Sequence, residues 1–209
     1  PMTNSRILVL GTHNQKKRQE LEQLLSPWGF QLLTLSDFDN TLDVEETGTT
    51  FAENAALKAT EQARQLDHWV LGEDSGLSVV ALDGAPGIYS ARYSGPGATD
   101  EKNNEHLLEQ LGELELQRRA AHYTCHMAVS DPTGSIRASS EARCHGIIRK
   151  KAAGSNGFGY DPLFEVREYH RTFGQLGPGV KSVLSHRSRA TRQLVPQLLA
   201  LKGQWNHPT

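Results

Sequence analysis

The chain has 209 residues and a formal net charge of −2, with 37% hydrophobic and 22% charged residues. This length allows one domain with a buried core, and we expect a single domain over residues 1–209 of an ordinary soluble protein. So small a net charge argues against a nucleic-acid or membrane surface held by electrostatics. No apolar run approaches the roughly 20 residues of a membrane span, and the first residues lack a signal peptide's apolar stretch. Two cysteines, Cys125 and Cys144, exclude a disulfide framework, so we expect a cytoplasmic protein.

The first part of the chain alternates apolar runs with a helical pattern. RILVL (6–10), ended by a glycine, is typical of a buried strand, and FQLLTL (30–35) predicts a second one. Between them, Asn14 stands at a helix N-cap position, and leucines at helical spacing continue to about Leu25. A strand, a helix and a strand in this order predict an α/β fold with parallel pairing.

The rest of the chain predicts a mixed sheet. Thr50, followed by Glu53, forms a capping box that opens a helix reaching about Leu66. An alternating segment at 121–130, a DPTG turn and a partner segment at 136–148 predict an antiparallel pair of strands. The other predicted elements are strands at 68–72 and 77–82, a loop at 84–97, helices at 99–111 and 185–202, the second kinked at Pro196, and an irregular glycine-rich stretch at 150–182.

Two pairs of adjacent carboxylates, Glu45–Glu46 and Glu73–Asp74, are candidates for chemistry. The second pair ends the predicted strand 68–72, and open α/β sheets bind ligands at the carboxyl ends of their strands. Adjacent strand side chains point to opposite faces, so we expect only one of these two to face a ligand. Carboxylates from two separate segments are typical ligands of Mg²⁺, which often bridges to phosphate. Taken alone, each pair is also compatible with solvated residues.

Three further segments are candidates for ligand contacts: the first for a phosphate, the second for an aromatic ring and the third for an anionic or carbonyl-bearing ligand. THNQKK (12–17) lies between a strand and a helix, where backbone N–H groups and two lysines favour a phosphate. NGFGYD (156–161) has two glycines that let a ligand approach the backbone, and Phe158 offers a ring for stacking. KSVLSHRSRA (181–190) gathers cations at a helix start, where the helix dipole disfavours them. Taken alone, the lysines of the first segment are also compatible with solvated residues, and Phe158 is also compatible with a core residue.

Histidines and cysteines at 122–126 and 144–145 resemble the ligands of a zinc site. In a strand, however, His122 and His126 lie about 13 Å apart, at about 3.3 Å per residue, and Cys125 faces the other side. We therefore expect no zinc site there.

Five blocks follow one another over nearly the whole chain: THNQKK, EETGTTFAENAALKA, EDSGLSVVALDGAPGIYSARYSG, GFGYDPLF and SHRSRA. Together they resemble the inosine/xanthosine triphosphate pyrophosphatase family. The resemblance implies an elongated α/β fold, with a mixed central sheet flanked by helices and two lobes with an active-site cleft between them. It also implies a homodimer that hydrolyses ITP, dITP and XTP to the monophosphate and pyrophosphate with Mg²⁺. The implied partner is this small-molecule nucleotide, with neither nucleic acid nor membrane.

The resemblance assigns roles to single residues. Asp74 matches the catalytic acid that accepts a proton and contacts the metal, and Glu45 matches a metal-associated glutamate, with Glu46 as the alternative. The implied substrate-binding residues are Thr12, His13, Asn14, Lys17, Lys58, Ser75, Phe158, Gly159, Tyr160, Asp161, Lys181, His186 and Arg187.

Two positions depart from the family's pattern. Glu73 stands where many bacterial members have aspartate. Its longer side chain bears on any role that the family assigns to this position, whereas the role of Asp74 is not affected. His13 stands where glycine is usual, so either the phosphate loop lies slightly differently or His13 adds a contact of its own.

Two other interpretations stay open on the residues alone. A nucleotide-binding regulatory protein would need the phosphate and base contacts but not the carboxylates. A pyrophosphatase for another class of nucleotide, such as modified pyrimidine triphosphates, would need both.

Overall fold

The computed structural model describes residues 6–201 and 203–205. In chain order the elements are β1 (Arg6–Leu10), α1 (Gln15–Leu25), β2 (Phe30–Thr34), α2 (Phe51–Leu66), β3 (Val70–Val79), α3 (Asp100–Leu111), β4 (Ala120–Ser130), β5 (Ile136–Ile148), β6 (Phe164–Val166), β7 (Arg171–Thr172), α4 (Pro178–Leu184) and α5 (His186–Ala200). The strands form one sheet in the order β2-β1-β3-β4-β5-β6-β7. β1 is parallel to β2 and β3, whereas β6 is antiparallel to β5 and β7. The predicted mixed α/β fold is therefore confirmed.

Local sequence signals explain where the helices begin. The side chain of Asn14 accepts a hydrogen bond from the backbone N–H of Lys17 at the start of α1, and Thr50 does the same for Glu53 in α2. The Glu53 carboxylate accepts the backbone N–H of Thr49, so the reciprocal half of the capping box is shifted by one residue. α3, β4 and β5 lie within one residue of their predicted bounds. No helix in the described part of the chain is long and apolar enough to cross a membrane.

Four of the predicted elements differ from the structure. Residues 68–72 and 77–82 are not two strands, because β3 continues through both acids and Val80–Leu82 forms a 3-10 helix. β3 lies between β1 and β4 in the sheet, so pairing on both sides outweighs the low strand propensity of Gly76. The stretch at 150–182 contains β6, β7 and α4, which are too short to show a periodic pattern. The loop at 84–97 includes a 3-10 helix, Gly87–Arg92.

The last predicted helix corresponds to α5, which contains Pro196. Its cap is confirmed, since the hydroxyl of Ser185 accepts the backbone N–H of Ser188 at 3.1 Å. Residue 202, the predicted end of this helix, lies outside the described residues. A kink at Pro196 stays a prediction.

The chain divides into two compact units. The first comprises the described residues among 1–74, 125–142 and 189–209, and the second comprises residues 75–124 and 143–188. Each unit has an apolar core of its own. Leucines of β1, α1 and α5 pack around Trp69 in the first, and Leu107 of α3 packs with Tyr123 and Phe164 in the second. The single domain expected from the length stays a prediction.

Candidate active site

β3 carries its two adjacent acids to opposite sides of the strand, because side chains alternate along it. Both are buried, with 2% of Glu73 and 5% of Asp74 exposed. The Glu73 carboxylate lies 3.4 Å from Nζ of Lys17 and accepts a hydrogen bond from the thiol of Cys125 at 3.5 Å. Asp74 contacts a different set of residues, on α2. The two acids therefore have separate environments, as the sequence predicts.

Asp74 is held by two side chains of α2. Its Oδ1 accepts a hydrogen bond from Nζ of Lys58, and its Oδ2 accepts one from Nδ2 of Asn54, each at 3.2 Å. Lys58 also lies 2.9 Å from Oε1 of Glu46, and Oδ1 of Asn54 accepts the backbone N–H of Gly48 at 2.8 Å. One lysine and one amide thus connect Asp74 to the acidic segment that precedes α2.

A glycine lets α2 approach β3 this closely. A Cβ on Gly72 would overlap the carbonyl oxygen of Ala55 and lie 2.6 Å from the backbone nitrogen of Ala59. These are backbone atoms of a helix, which cannot rotate away, so a larger residue would push α2 off the strand. The close approach brings the helix side chains within reach of Asp74.

The charged groups around β3 form a cluster that contains three carboxylates and two lysines, namely Glu46, Glu73, Asp74, Lys17 and Lys58. Burial raises the pKa of Asp74, the charges of Lys58 and Lys17 lower it, and those of Glu46 and Glu73 raise it again, so that the net direction is upward. Burial disfavours the charged form of Lys58, but Asp74 and the two glutamates outweigh this effect and raise its pKa. The raised pKa of Asp74 is due first to its burial. When all these groups are ionised, the three carboxylates and two lysines leave one surplus negative charge. A bound cation would neutralise it.

The donor set fits a hard divalent cation. Mg²⁺ prefers carboxylate oxygens and usually keeps water and substrate phosphates as its remaining ligands. Within residues 6–201 and 203–205, no three His, Cys, Asp or Glu side chains are grouped so as to hold a metal ion by themselves. Of the two glutamates considered from the sequence, Glu46 contacts Lys58, whereas Glu45 is exposed. Lys58 thus contacts both Asp74 and Glu46, and the metal role of either glutamate stays a prediction.

The predicted phosphate loop is shaped by its own polar contacts. Thr12 accepts the backbone N–H of Asn14 at 3.1 Å, and Asn14 in turn caps α1. Nε2 of His13 lies 3.1 Å from the carbonyl oxygen of Leu42, which ties this loop to the stretch before the acidic segment. His13 thus makes a contact that glycine could not make. A cavity of about 330 Å³ adjoins the loop, lined by Thr12, His13, Gln15, Arg18 and residues 34–36.

In the second unit, Asp161 organises the glycine-rich segment. Its buried carboxylate accepts hydrogen bonds from the backbone N–H of Phe158 at 2.9 Å, from Nζ of Lys181 at 2.8 Å and from the hydroxyl of Tyr123 at 3.2 Å. Gly157 has a φ of +74°, and a Cβ there would overlap Oδ2 of Asp161, so only glycine fits. Asp161 therefore fixes the backbone that carries Phe158.

Phe158 has two cations near its half-buried ring. Nζ of Lys181 lies 4.4 Å from the ring centroid, and the guanidinium carbon of Arg187 lies 5.9 Å from it. Arg187 also donates a hydrogen bond to Oγ of Ser75 at 3.0 Å. The second unit thus brings together four of the residues expected to contact the substrate.

Tyrosines support the remaining predicted residues of this unit. The ring of Tyr123 stacks on that of His186, with centroids 4.7 Å apart and planes within 12°. Burial, together with the charge of Asp161, raises the pKa of Tyr123, so its hydroxyl stays a donor. The buried hydroxyl of Tyr160 donates to the carbonyl oxygen of Ser90 at 2.7 Å and so holds a neighbouring segment.

Sequence reasoning missed Asn54 and Tyr123 as site residues. Asn54 stands four residues before Lys58 in the block EETGTTFAENAALKA, so helical spacing could have identified it. Tyr123 had no signal beyond its place on the buried face of a strand.

Known proteins are similar to this chain in sequence and in fold. The model of the Ham1 family matches residues 8–197 of the chain. The chain belongs to the Ham1 family. A dITP/XTP pyrophosphatase of Rhodopirellula baltica is 54% identical over 194 residues, which are 93% of this chain and 93% of that protein. The resemblance found in the five sequence blocks is thereby confirmed.

Two solved structures have the same fold as this Ham1-family chain. A HAM1 protein from Coxiella burnetii has a TM-score of 0.84 and 36% identity, and the match covers 93% of this chain and 98% of that one. The Ham1 protein of Staphylococcus aureus has a TM-score of 0.83 and 38% identity, and the match covers 94% of this chain and 100% of that one.

Proposed function

We propose that the protein hydrolyses deaminated purine nucleoside triphosphates, namely ITP, dITP and XTP, to the nucleoside monophosphate and pyrophosphate. Such an enzyme cleanses the nucleotide pool of deaminated bases. The cluster of Glu46, Glu73 and Asp74 with Lys17 and Lys58 carries the proposal, because it combines a buried acid, a surplus of negative charge and two cations. The identity of 54% to a protein named dITP/XTP pyrophosphatase supports it.

In the proposed reaction, water attacks the α-phosphorus, and the bond to the bridging oxygen of the β-phosphate breaks as pyrophosphate leaves. Asp74, with Glu46 or Glu45, would hold Mg²⁺, and a bound Mg²⁺ would supply positive charge to the phosphate oxygens. Asp74 accepts the proton of the attacking water, and a raised pKa suits an acceptor that must work near neutral pH. Lys17 and Lys58 bind the triphosphate and stabilise charge on the leaving group.

Base selection in this proposal depends on the groups at positions 6 and 1 of the purine. A deaminated purine presents an acceptor at O6 and a donor at N1, whereas adenine presents the reverse. Donors from His186 or Arg187 directed at O6 would be left unpaired by ATP, and such sites can discriminate by about 10⁴–10⁵. Phe158 stacks on the base whatever its identity. Since guanine shares O6, rejection of GTP requires a further contact near its 2-amino group.

A nucleotide panel tests the proposed function. Pyrophosphate and orthophosphate release are measured from ITP, dITP, XTP, ATP, GTP and a modified pyrimidine triphosphate, with and without Mg²⁺, for the wild type and Asp74→Asn. We expect pyrophosphate from the deaminated purine nucleotides only, and only with Mg²⁺. The variant should stay folded and lose most of its turnover.

Other outcomes of the panel would point elsewhere. Binding of nucleotides without cleavage would indicate a regulatory protein, and preferred cleavage of the pyrimidine nucleotide would indicate another substrate class. Turnover of Asp74→Asn within about threefold of the wild type would reject the role of Asp74.

We also propose, on the family resemblance, that the protein acts as a cytoplasmic homodimer. Light scattering after size-exclusion chromatography distinguishes one chain from two, and fractionation of the source cells locates the protein. A monomer across the working range of concentration would contradict the first part.

A further inference from the structure

The first two turns of α3 hold the glycine-rich segment at a single residue, Gly159. Oδ2 of Asp100 accepts the backbone N–H of Gly159 at 2.8 Å, and Nδ2 of Asn104 donates to its carbonyl oxygen at 3.0 Å. Residues four apart in a helix lie on the same face, so both polar groups of Gly159 are bound from one side. We call this pair of contacts the Gly159 clamp.

The clamp determines the direction of the residue before it. The N–H of Gly159 belongs to the peptide unit that joins it to Phe158, so a bond to this N–H fixes the ψ angle of Phe158. Gly159 has a φ of +61°, and nothing lies within 4 Å of a Cβ built there. Glycine is therefore favoured here because the backbone is left-handed, and not because a side chain would clash with a neighbour. The orientation of the Phe158 ring depends on a backbone that α3 holds.

α3 is a firm support for such contacts. Thr99 caps it by accepting the backbone N–H of Lys102 at 3.2 Å, and Leu107 and Leu111 are buried in the core of the second unit. The helix dipole favours a carboxylate in the first turn, where Asp100 lies, and a hydrogen bond from an N–H to a carboxylate is among the stronger ones. The clamp is thus built on a rigid element by a charged acceptor.

We propose that Asp100 and Asn104 are positioning residues that set the surface on which Phe158 stacks the substrate's base. This inference rests on the proposed function, because it concerns the base of the same nucleotide. The clamp belongs to the second unit, whereas Lys17, Lys58 and Asp74 belong to the first, and so we expect the clamp to affect binding of the base and to leave binding of the phosphates unchanged.

Equilibrium binding of two products separates these contributions. IMP carries the base, whereas pyrophosphate carries none, and both are titrated calorimetrically into the wild type and the variants with Mg²⁺ present. We expect Asp100→Ala and Asn104→Ala to weaken IMP binding, by about tenfold in the double variant, and to leave pyrophosphate binding within about twofold. Asp100→Asn keeps an acceptor for the N–H and should restore most of the IMP affinity. Glu105→Ala, an exposed residue of the same helix, is the matched control and should change neither.

The outcomes distinguish this inference from the proposed function. Unchanged IMP binding in the folded double variant would overturn the proposed role of the clamp. A variant that loses IMP and pyrophosphate binding equally and also has a lower melting temperature would overturn it too, because the loss would then follow from reduced stability. If Asp100→Ala does not fold, Asn104→Ala provides the test, because it keeps the Asp100 carboxylate. We expect it, too, to weaken IMP binding and to leave pyrophosphate binding nearly unchanged. A wild type that neither binds IMP nor cleaves ITP would overturn the proposed function and, with it, this inference.

Discussion

Nζ of Lys58 lies 3.2 Å from Oδ1 of Asp74, so a lysine of α2 and the predicted catalytic acid of β3 form a largely buried ion pair. The same amine lies 2.9 Å from Glu46, which joins three segments of the chain at one atom. This arrangement requires α2 to pack directly on β3, and it is therefore sensitive to the spacing between the two elements.

Gly72→Ala tests that spacing. The added Cβ would overlap backbone atoms of α2, so the helix must move away from β3. We expect the free energy of unfolding to fall by about 1–3 kcal/mol and ITP hydrolysis to fall by about 10²-fold, measured by urea denaturation and pyrophosphate release. Gly179→Ala is the control, because its Cβ would meet open space, and its stability should be unchanged or slightly higher. Wild-type activity and stability in Gly72→Ala would contradict the requirement for close packing.

Asn54→Ala removes the amide that connects Asp74 to Gly48. Asn54 is fully buried, and its loss leaves both partners without their bond to it. We expect the free energy of unfolding to fall by about 1–3 kcal/mol, and turnover to fall because the carboxylate and the acidic segment are less firmly held. Gln65→Ala, on the same helix, removes a hydrogen bond to the carbonyl oxygen of Asn40 and should leave turnover unchanged. Equal effects of the two substitutions on turnover would show that Asn54 has no special role.

The sequence predicts the helices well because their signals are local. Asn14 and Lys17, which form the cap of α1, are three residues apart, and the same is true of Thr50 and Glu53. The continuity of β3 was not predictable in this way, because it depends on strands that pair with it from elsewhere in the chain.

The site shows the same division between local and distant signals. The family blocks point to Lys58 and Asp74, which the structure joins. They do not distinguish Glu45 from Glu46, since that depends on the backbone path before α2. The contact of Glu73 with Cys125 depends on the order of strands in the sheet, and no sequence pattern marks it.

Asp131 is expected to make stability depend on pH. In the turn after β4, its carboxylate accepts the backbone N–H groups of Thr133 at 2.9 Å and Ser135 at 3.2 Å and lies 3.1 Å from the guanidinium of Arg137. Burial acts to raise the pKa of Asp131, but a hydrogen bond from the hydroxyl of Thr133 at 2.6 Å, together with the contacts to Arg137 and the two backbone N–H groups, outweighs it and holds the pKa below its usual value. A lowered folded-state pKa stabilises the protein above the pKa of the unfolded chain, and this contribution is lost as the pH falls through the folded-state value.

Asp131→Asn should therefore lower the urea midpoint at neutral pH. Its difference from the wild type should shrink as the pH falls below the pKa of the unfolded chain and through the lower folded-state pKa, where the wild-type carboxylate becomes neutral like the amide. Urea unfolding at a series of pH values measures this difference. A difference that stays constant over the whole series would mean that the charge of Asp131 contributes nothing.

Arg187→Ala tests how the base is selected. Arg187 is 1% exposed, donates to Ser75 and lies over Phe158, so it is a buried donor among residues expected to contact the base. Its removal should lower the ratio of kcat/KM for ITP to that for ATP by about tenfold or more, because ATP no longer leaves a buried donor unpaired. Arg189→Ala, an exposed arginine of the same helix, should keep the wild-type ratio. An unchanged ratio in folded Arg187→Ala would contradict this role of Arg187. It would leave His186, whose ring stacks on that of Tyr123, as the residue expected to select the base.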